Sequence, residues 1–386
     1  MAAEGAVDPG VMTDPTPSAG FTPPPYPYDR LDALKPLADA HEGGIVDLSV
    51  GTPCDPPPDA VVQVLASSAA ERGYPASVGS PAYREAAAGW MARRLGVELA
   101  PQQLAACIGT KELVAGMPHW LRLRDPSRDT VLYPAISYPS YAMGAELAGA
   151  RAVAVPVGPD GRSDLGAVEP SDAARALCLW VNSPANPTGE LDDLAAAAEW
   201  GRAHAVPVLS DECYVEFTWD GPGRTILEHG TEGVLAVHSL SKRSNLAGVR
   251  AGFYAGDADL VHYLSELRKH AGFMVPGPVQ AAAVAAWADQ AHVDDQRERY
   301  RARLARAAEV LRAIGVEVAL PAGGFYLWAP APEGDAWALV RRLATEGGAL
   351  VSPGEFYGPD GAAFVRVAVV QPDDRLELVA HRLGVA

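Results

Sequence analysis

The segment Arg175–Glu212, RALCLWVNSPANPTGELDDLAAAAEWGRAHAVPVLSDE, decides the fold class. It opens on an apolar run, RALCLWV, and stops at NSPANPTG, where Asn-Pro-Thr-Gly is strong turn chemistry. LDDLAAAAEWGRAHA follows with the spacing of a helix, and VPVLSDE returns to an apolar run. Strand, helix, strand is the parallel βαβ unit. Strands that are apolar throughout belong in a sheet covered on both faces.

The alternation continues in both directions. Upstream, AYREAAAGWMARRLG, KELVAGMPHWLRL and YAMGAELAGA read as helices, and LAACIGT, DTVLYP and RAVAVPV as strands. Downstream, GVLAVHSL and RAGFYAG are two more strands. The reading is an α/β fold, a mainly parallel sheet with helices on both faces over residues 55–275. Residues 276–386 hold a linking helical region, about Pro278 to Ile314, and a smaller α+β domain marked by GGFYLWAP, ALVSPGEFYG and AAFVRVAVV. The arginines of RERYRARLARAAEVLRAIG read as a solvated helix face. Residues 28–54, with the short strand and turn of GGIVDLSVGTP, are expected to join the smaller domain. Residues 1–27 are expected to be a disordered Pro-rich tail.

A net charge of −17 over 386 residues makes nucleic acid and anionic membrane poor partners. Any anion site must be a local basic pocket within an acidic shell. The four cysteines, Cys54, Cys107, Cys178 and Cys213, show no metal or disulfide spacing, which fits a reducing compartment. The first 28 residues carry seven prolines and no Lys or Arg, unlike a signal peptide, so a cytoplasmic location is expected.

Ligands of open α/β sheets sit beyond the carboxyl ends of the strands. After LAACI stands Gly109-Thr110-Lys111, either an ordinary helix cap or a set of free N–H groups for a phosphate. After DTVLYP come Tyr138 and Tyr141, packing residues or a stacking face. Asn182 and Asn186 follow the next strand, two amides where a turn alone needs neither. Asp211 ends an apolar strand, where a carboxylate either caps locally or meets a cation. Tyr214 lies three residues on. SLSKRSNLAGVRAGF, Ser239–Phe253, places Lys242 behind two hydroxyls and Arg250 eight residues later. A phosphate cradle, an aromatic plate, an amide, a buried acid, a lysine and a second cation together suit pyridoxal phosphate: the lysine forms the Schiff base and the acid partners the ring nitrogen.

The order GTK, SYP, NPTG, SDECY, SLSK-x7-R and VRV resembles the aspartate-aminotransferase-like, fold-type I pyridoxal-phosphate enzymes. GIVDLSVGTP, IGTKEL, SLSKRSNLAG, MVPGPVQAA and PGEFYG look like the actinobacterial N-succinyldiaminopimelate aminotransferases. The resemblance implies that Lys242 binds the cofactor covalently and that Asp211 pairs with its ring nitrogen. Tyr214 and Asn186 are to bond the ring hydroxyl, and Tyr138 is to stack on the ring. Gly109, Thr110, Lys111, Ser239 and Arg250 are to hold the phosphate, and Tyr74 is to reach the phosphate of a neighbouring subunit in a homodimer. Arg366 is to grip the substrate carboxylate, with Asn182 orienting that arginine or the same carboxylate and Gly51 on the substrate-side loop. The implied reaction is ping-pong transfer between N-succinyl-LL-diaminopimelate and 2-oxoglutarate, with glutamate as donor and no metal. Transamination of another amino acid and carbon–sulfur lysis are the alternatives within the same fold. Whether Arg243 and Asn245 influence substrate choice stays open.

Overall fold

Residues 20–158 and 160–385 are described in the computed structural model, and they form three sheets. Residues 1–19, most of the expected tail, lie outside them. Pro27 already opens a 3-10 helix that runs to Leu31. Strand β1 (Val46–Asp47) comes next, followed by the seven strands of the main sheet. These are β2 (Leu104–Cys107), β3 (Thr130–Pro134), β4 (Arg151–Val155), β5 (Ala176–Asn182), β6 (Val208–Asp211), β7 (Val234–Ser239) and β8 (Gly252–Gly256). Their order is β2-β8-β7-β6-β5-β3-β4.

Apart from the largely exposed edge strand β4, the strands are buried on both faces, as their unbroken apolar runs require. In β7, Val234 and Ala236 face one core while Leu235 and Val237 face the other. The first core is closed by helices Pro81–Leu95, Leu194–His204 and Gly277–Ala288. The second is closed by Thr110–Arg124, Ser140–Leu147 and Ala258–His270. Strands β3 to β7 pair in parallel, whereas β8 runs antiparallel to both β7 and β2. Apolar periodicity carries no strand direction, so RAGFYAG could not reveal this. Because β8 is reversed, its N-terminal end lies at the carboxyl ends of its parallel neighbours, and Arg250 arrives there.

Strands β9 (Tyr326–Pro330), β10 (Ala349–Leu350), β11 (Ser352–Pro353) and β12 (Phe364–Ala368) complete the set. β12 lies between β11 and β9, antiparallel to both, and β10 pairs in parallel with β1. A third core gathers Leu31, Leu34, Val46 and Leu48 with Phe325, Val340, Val365 and Val367.

The helical region expected as one piece is two helices, Gly277–Ala288 and Ala291–Ala313. Asp289 turns extended, and its carboxylate accepts from the N–H of Ala291, the first residue of the second helix, at 2.9 Å. Arg299 and Arg301 are exposed, as a solvated face requires, but three other arginines of this helix hold partners outside it. Arg297 donates to the carbonyls of Glu216 and Thr218, Arg303 pairs with Asp55 and Asp373, and Arg312 donates to the Val318 carbonyl. They fasten this helix to both the sheet domain and the third core. No helix among the described residues is long and apolar enough to cross a membrane.

Candidate active site

A cleft of about 470 Å³ opens at the carboxyl ends of β2 and β5 to β7. Lys111, Lys242, Arg250, Arg366 and a single acid, Asp211, are among its lining residues. None of the four cations makes an ion pair among the described residues. In a chain of charge −17, this is the local basic pocket that an anion would need.

One end is built by the turn into the Thr110–Arg124 helix. Gly109 stands before it at φ +67°, ψ 168°, a conformation that only glycine adopts freely. A β-carbon there would lie 2.5 Å from Arg250 Cζ. Thr110 and Lys111 are the first two residues of the helix, so their N–H groups have no intrahelical acceptor. Among the described residues the Arg250 guanidinium bonds only carbonyls, Ala247 at 2.9 Å and Ile108 at 3.5 Å. Ser239 caps the short helix Leu240–Arg243 by accepting from Ser241 N–H at 3.1 Å, and donates to Ser241 Oγ at 2.9 Å. Tyr138 lines this end half-buried.

Asp211 ends β6 at the centre, 7% exposed. Its carboxylate accepts from Tyr141 OH at 3.0 Å and from Cys213 N–H at 3.2 Å, and it has no ion-pair partner among the described residues. Burial pushes its carboxyl above the usual range. Tyr141 is thereby assigned to the acid, lying beneath Tyr138 with its ring edge-on at 5.9 Å. Lys242 donates through Nζ to the Gly51 carbonyl. Burial, aided by Arg366 nearby, lowers its ammonium to about 8. Gly51 is required by close approach, since a β-carbon would meet the Tyr326 ring at 2.8 Å. Tyr214 OH pairs with Tyr326 OH at 2.8 Å.

Arg366, in the middle of β12, forms the other end at 2% exposure. Its guanidinium lies between the rings of Tyr326 and Tyr357, 4.2 and 4.7 Å from their centroids. Nη1 donates to Asn186 Oδ1 at 2.8 Å, and Nη2 to the Ser49 carbonyl and to Tyr28 OH at 3.3 Å. Nε has no partner. Asn182 does not touch this arginine. Its amide donates to the carbonyls of Pro184 and Asp211, and its Oδ1 accepts from Asn186 N–H at 2.7 Å. The arginine is oriented by Asn186, and Asn182 acts one residue further back.

The cleft thus gathers Gly51, Thr110, Lys111, Tyr138, Asn182, Asn186, Asp211, Tyr214, Ser239, Lys242, Arg250 and Arg366, with Gly109 directly behind Arg250. Tyr74 does not line it and is 99% exposed. Tyr26, Tyr28 and Tyr326 also line it and escaped the sequence reading. Tyr26, assigned to the tail, stacks on Tyr28 at 5.4 Å and lies 5.3 Å from Lys111 Nζ. Pyridoxal phosphate needs donors for a dianion, a negative charge for a protonated ring nitrogen and an amine for its aldehyde. The unpaired Arg250 beside a helix N-terminus, the cation-free Asp211 and the amine of Lys242 match those three demands in chemistry.

The model of the family described as aminotransferase class I and II matches residues 43–383. A probable aminotransferase of Mycobacterium tuberculosis, Rv1178, is 44% identical, covering 93% of this chain and 85% of its own. The 4-dedimethylamino-4-oxo-anhydrotetracycline transaminase OxyQ of Streptomyces rimosus is 42% identical, covering 93% and 99%. A solved structure of a probable N-succinyldiaminopimelate aminotransferase from Thermus thermophilus superposes with a TM-score of 0.82 at 32% identity, covering 92% and 99%. The chain belongs to the class I and II aminotransferases, transaminases that work with pyridoxal phosphate.

Proposed function

We propose that the protein transfers an amino group between N-succinyl-LL-diaminopimelate and 2-oxoglutarate in the cytoplasm, with Lys242 as the attachment point of pyridoxal phosphate. The supporting observation is the convergence of four cations without acid partners on one buried carboxylate without a cation. When bound, the cofactor supplies a sink for the electron pair left as an amino acid loses its α-proton. The chain's residues do the rest. The N–H groups of Thr110 and Lys111, with Ser239 and Arg250, hold the phosphate. Tyr138 covers the ring, while Tyr214 and Asn186 bond its hydroxyl. Asp211 keeps a proton on the ring nitrogen, a carboxylate at contact raising such a pKa by about 1–3 units.

Lys242 Nζ accepts the α-proton and returns it elsewhere. A pKa lowered to about 8 gives the free amine a neutral fraction near neutral pH, as a general base requires. Arg366 binds the substrate α-carboxylate through its planar fork, held against two tyrosine rings. Donor and acceptor use the same arginine, so they must alternate, which is ping-pong kinetics. Tyr74 is assigned to a second copy of the chain, reaching the phosphate from outside. Light scattering should find a homodimer.

The Thermus relative supports the succinylated acceptor, whereas the OxyQ relative, at higher identity, favours a second reading with a polycyclic ketone as acceptor. Holoenzyme with glutamate is offered the succinylated keto acid, its unsuccinylated parent and an anhydrotetracycline ketone in turn. The proposal expects the succinylated keto acid to give the highest kcat/KM. Preference for either other acceptor rejects it while leaving transamination intact.

A further inference from the structure

The turn after Lys242 carries two residues that do not line the cleft, Arg243 and Asn245. Arg243 points the other way, into a buried box. Its guanidinium meets Glu216 at 3.2 Å, the Ala286 carbonyl at 2.7 Å and the Asp289 carbonyl at 3.2 Å. Neither residue has a path to substrate. Asn245 leads instead to a relay behind the site.

Two loops meet at the cleft, Gly51–Asp55 and Lys242–Asn245. One link crosses it, Lys242 Nζ on the Gly51 carbonyl. Behind it, Asn245 Nδ2 reaches the Pro56 carbonyl at 3.4 Å, and a shorter relay runs through Gln296. Asn245 Nδ2 donates to Gln296 Oε1 at 3.1 Å, and Gln296 Nε2 donates to Asp55 Oδ2 at 2.8 Å. Chemistry fixes the direction of this relay. Asp55 is an ion-paired carboxylate, held by both terminal nitrogens of Arg303 at 2.5 and 2.9 Å, and can only accept. The Gln296 amide must therefore turn its NH₂ to Asp55, which leaves its oxygen for Asn245. Gln296 is 5% exposed within a 23-residue helix, so the relay stands on a rigid element. Asn245 holds φ +54°, a region that asparagine tolerates better than most residues.

The two links differ in one respect. Lys242 must leave the Gly51 carbonyl to react, whereas no atom of the rear link takes part in chemistry. A four-residue helix has little stability of its own, so the turn that carries Lys242 needs support that persists while the lysine moves. We infer that Gln296 is a positioning residue that keeps the Lys242 turn in register with the Gly51–Asp55 loop during turnover. This rests on Lys242 being the reactive lysine, which Lys242→Ala tests on its own.

Gln296→Leu removes both relay bonds, leaving Asp55 its arginine and Asn245 only the long 3.4 Å bond to Pro56. Holoenzyme kcat is expected to fall roughly tenfold, as small misplacements of a reacting group do. KM for glutamate should stay within about twofold, because carboxylate binding is untouched. Uptake of pyridoxal phosphate by the apoprotein should slow by a similar factor to kcat. Asn245→Asp keeps the backbone but sets an acceptor against Gln296 Oε1, and should reproduce the pattern. The double variant should be no worse than the worse single one, since both cut one relay. Unchanged kcat and cofactor uptake in Gln296→Leu, or losses that multiply in the double variant, would overturn the inference. If Gln296→Leu fails to fold, Asn245→Asp decides alone, and wild-type kcat in it refutes the role. A parent enzyme that releases no keto acid from glutamate would instead reject the reading of Lys242.

Discussion

Gly109→Ala should weaken binding of pyridoxal phosphate by roughly 10–100-fold while the chain still folds. At φ +67° and ψ 168° an alanine carries about 1–3 kcal/mol of backbone strain. If the residue keeps its conformation, the new methyl lies 2.5 Å from Arg250 Cζ, and the guanidinium must leave. That loses a charge-assisted bond to the phosphate, about 1.5–3 kcal/mol. If the turn relaxes instead, the N–H groups of Thr110 and Lys111 swing away from the same anion. Either route gives about 2 kcal/mol, or roughly 30-fold in Kd. The assay is a fluorescence titration of apoprotein with pyridoxal phosphate and, separately, with pyridoxal, which lacks the phosphate. Only the first affinity should fall. A Kd for pyridoxal phosphate within about threefold of the parent, or equal losses for both ligands, would refute the placing of the phosphate at this turn.

Cofactor uptake by the apoprotein should rise about tenfold per pH unit and level off above about 8, because only the neutral Lys242 amine attacks an aldehyde. A flat profile across that pKa contradicts it. Arg366→Lys keeps the charge but loses the fork, and should lower kcat/KM for glutamate roughly 10–100-fold in steady-state assays. Asp55→Ala leaves the buried Arg303 only the exposed Asp373 as an acid partner and should cost about 1–3 kcal/mol, read from the urea midpoint of the apoprotein. Arg303 depresses the Asp55 pKa, so this contribution is present at neutral pH and fades as pH falls through that value, narrowing the gap between variant and parent in acid.

The sheet was legible because each buried strand is an apolar run closed by turn residues. The cleft residues were legible because each stands where such a run ends. Asp211 after VPVLS and Lys242 after AVHSLS are conspicuous as charges at apolar termini. What escaped was carried by contacts distant in sequence. Tyr326 reaches Tyr214 across 112 positions and Tyr28 reaches Arg366 across 338, and nothing local distinguishes either tyrosine from a packing residue. Asn182 and Asn186 illustrate a finer limit. Both amides were expected at the site, but which one meets Arg366 depends on how the turn folds back, with Asn182 consumed by the turn itself. Arg297, Arg303 and Arg312 of the Ala291–Ala313 helix misled because their partners are backbone carbonyls and acids of other elements, which a helical wheel does not display.

The central claim is that Lys242 makes this cleft transfer amino groups one half-reaction at a time. The direct measurement mixes holoenzyme with glutamate, without any acceptor, and quantifies 2-oxoglutarate. The account predicts one equivalent per chain and then arrest, and none from Lys242→Ala. Continued release without an acceptor, no release from the parent, or the same yield from Lys242→Ala would contradict it.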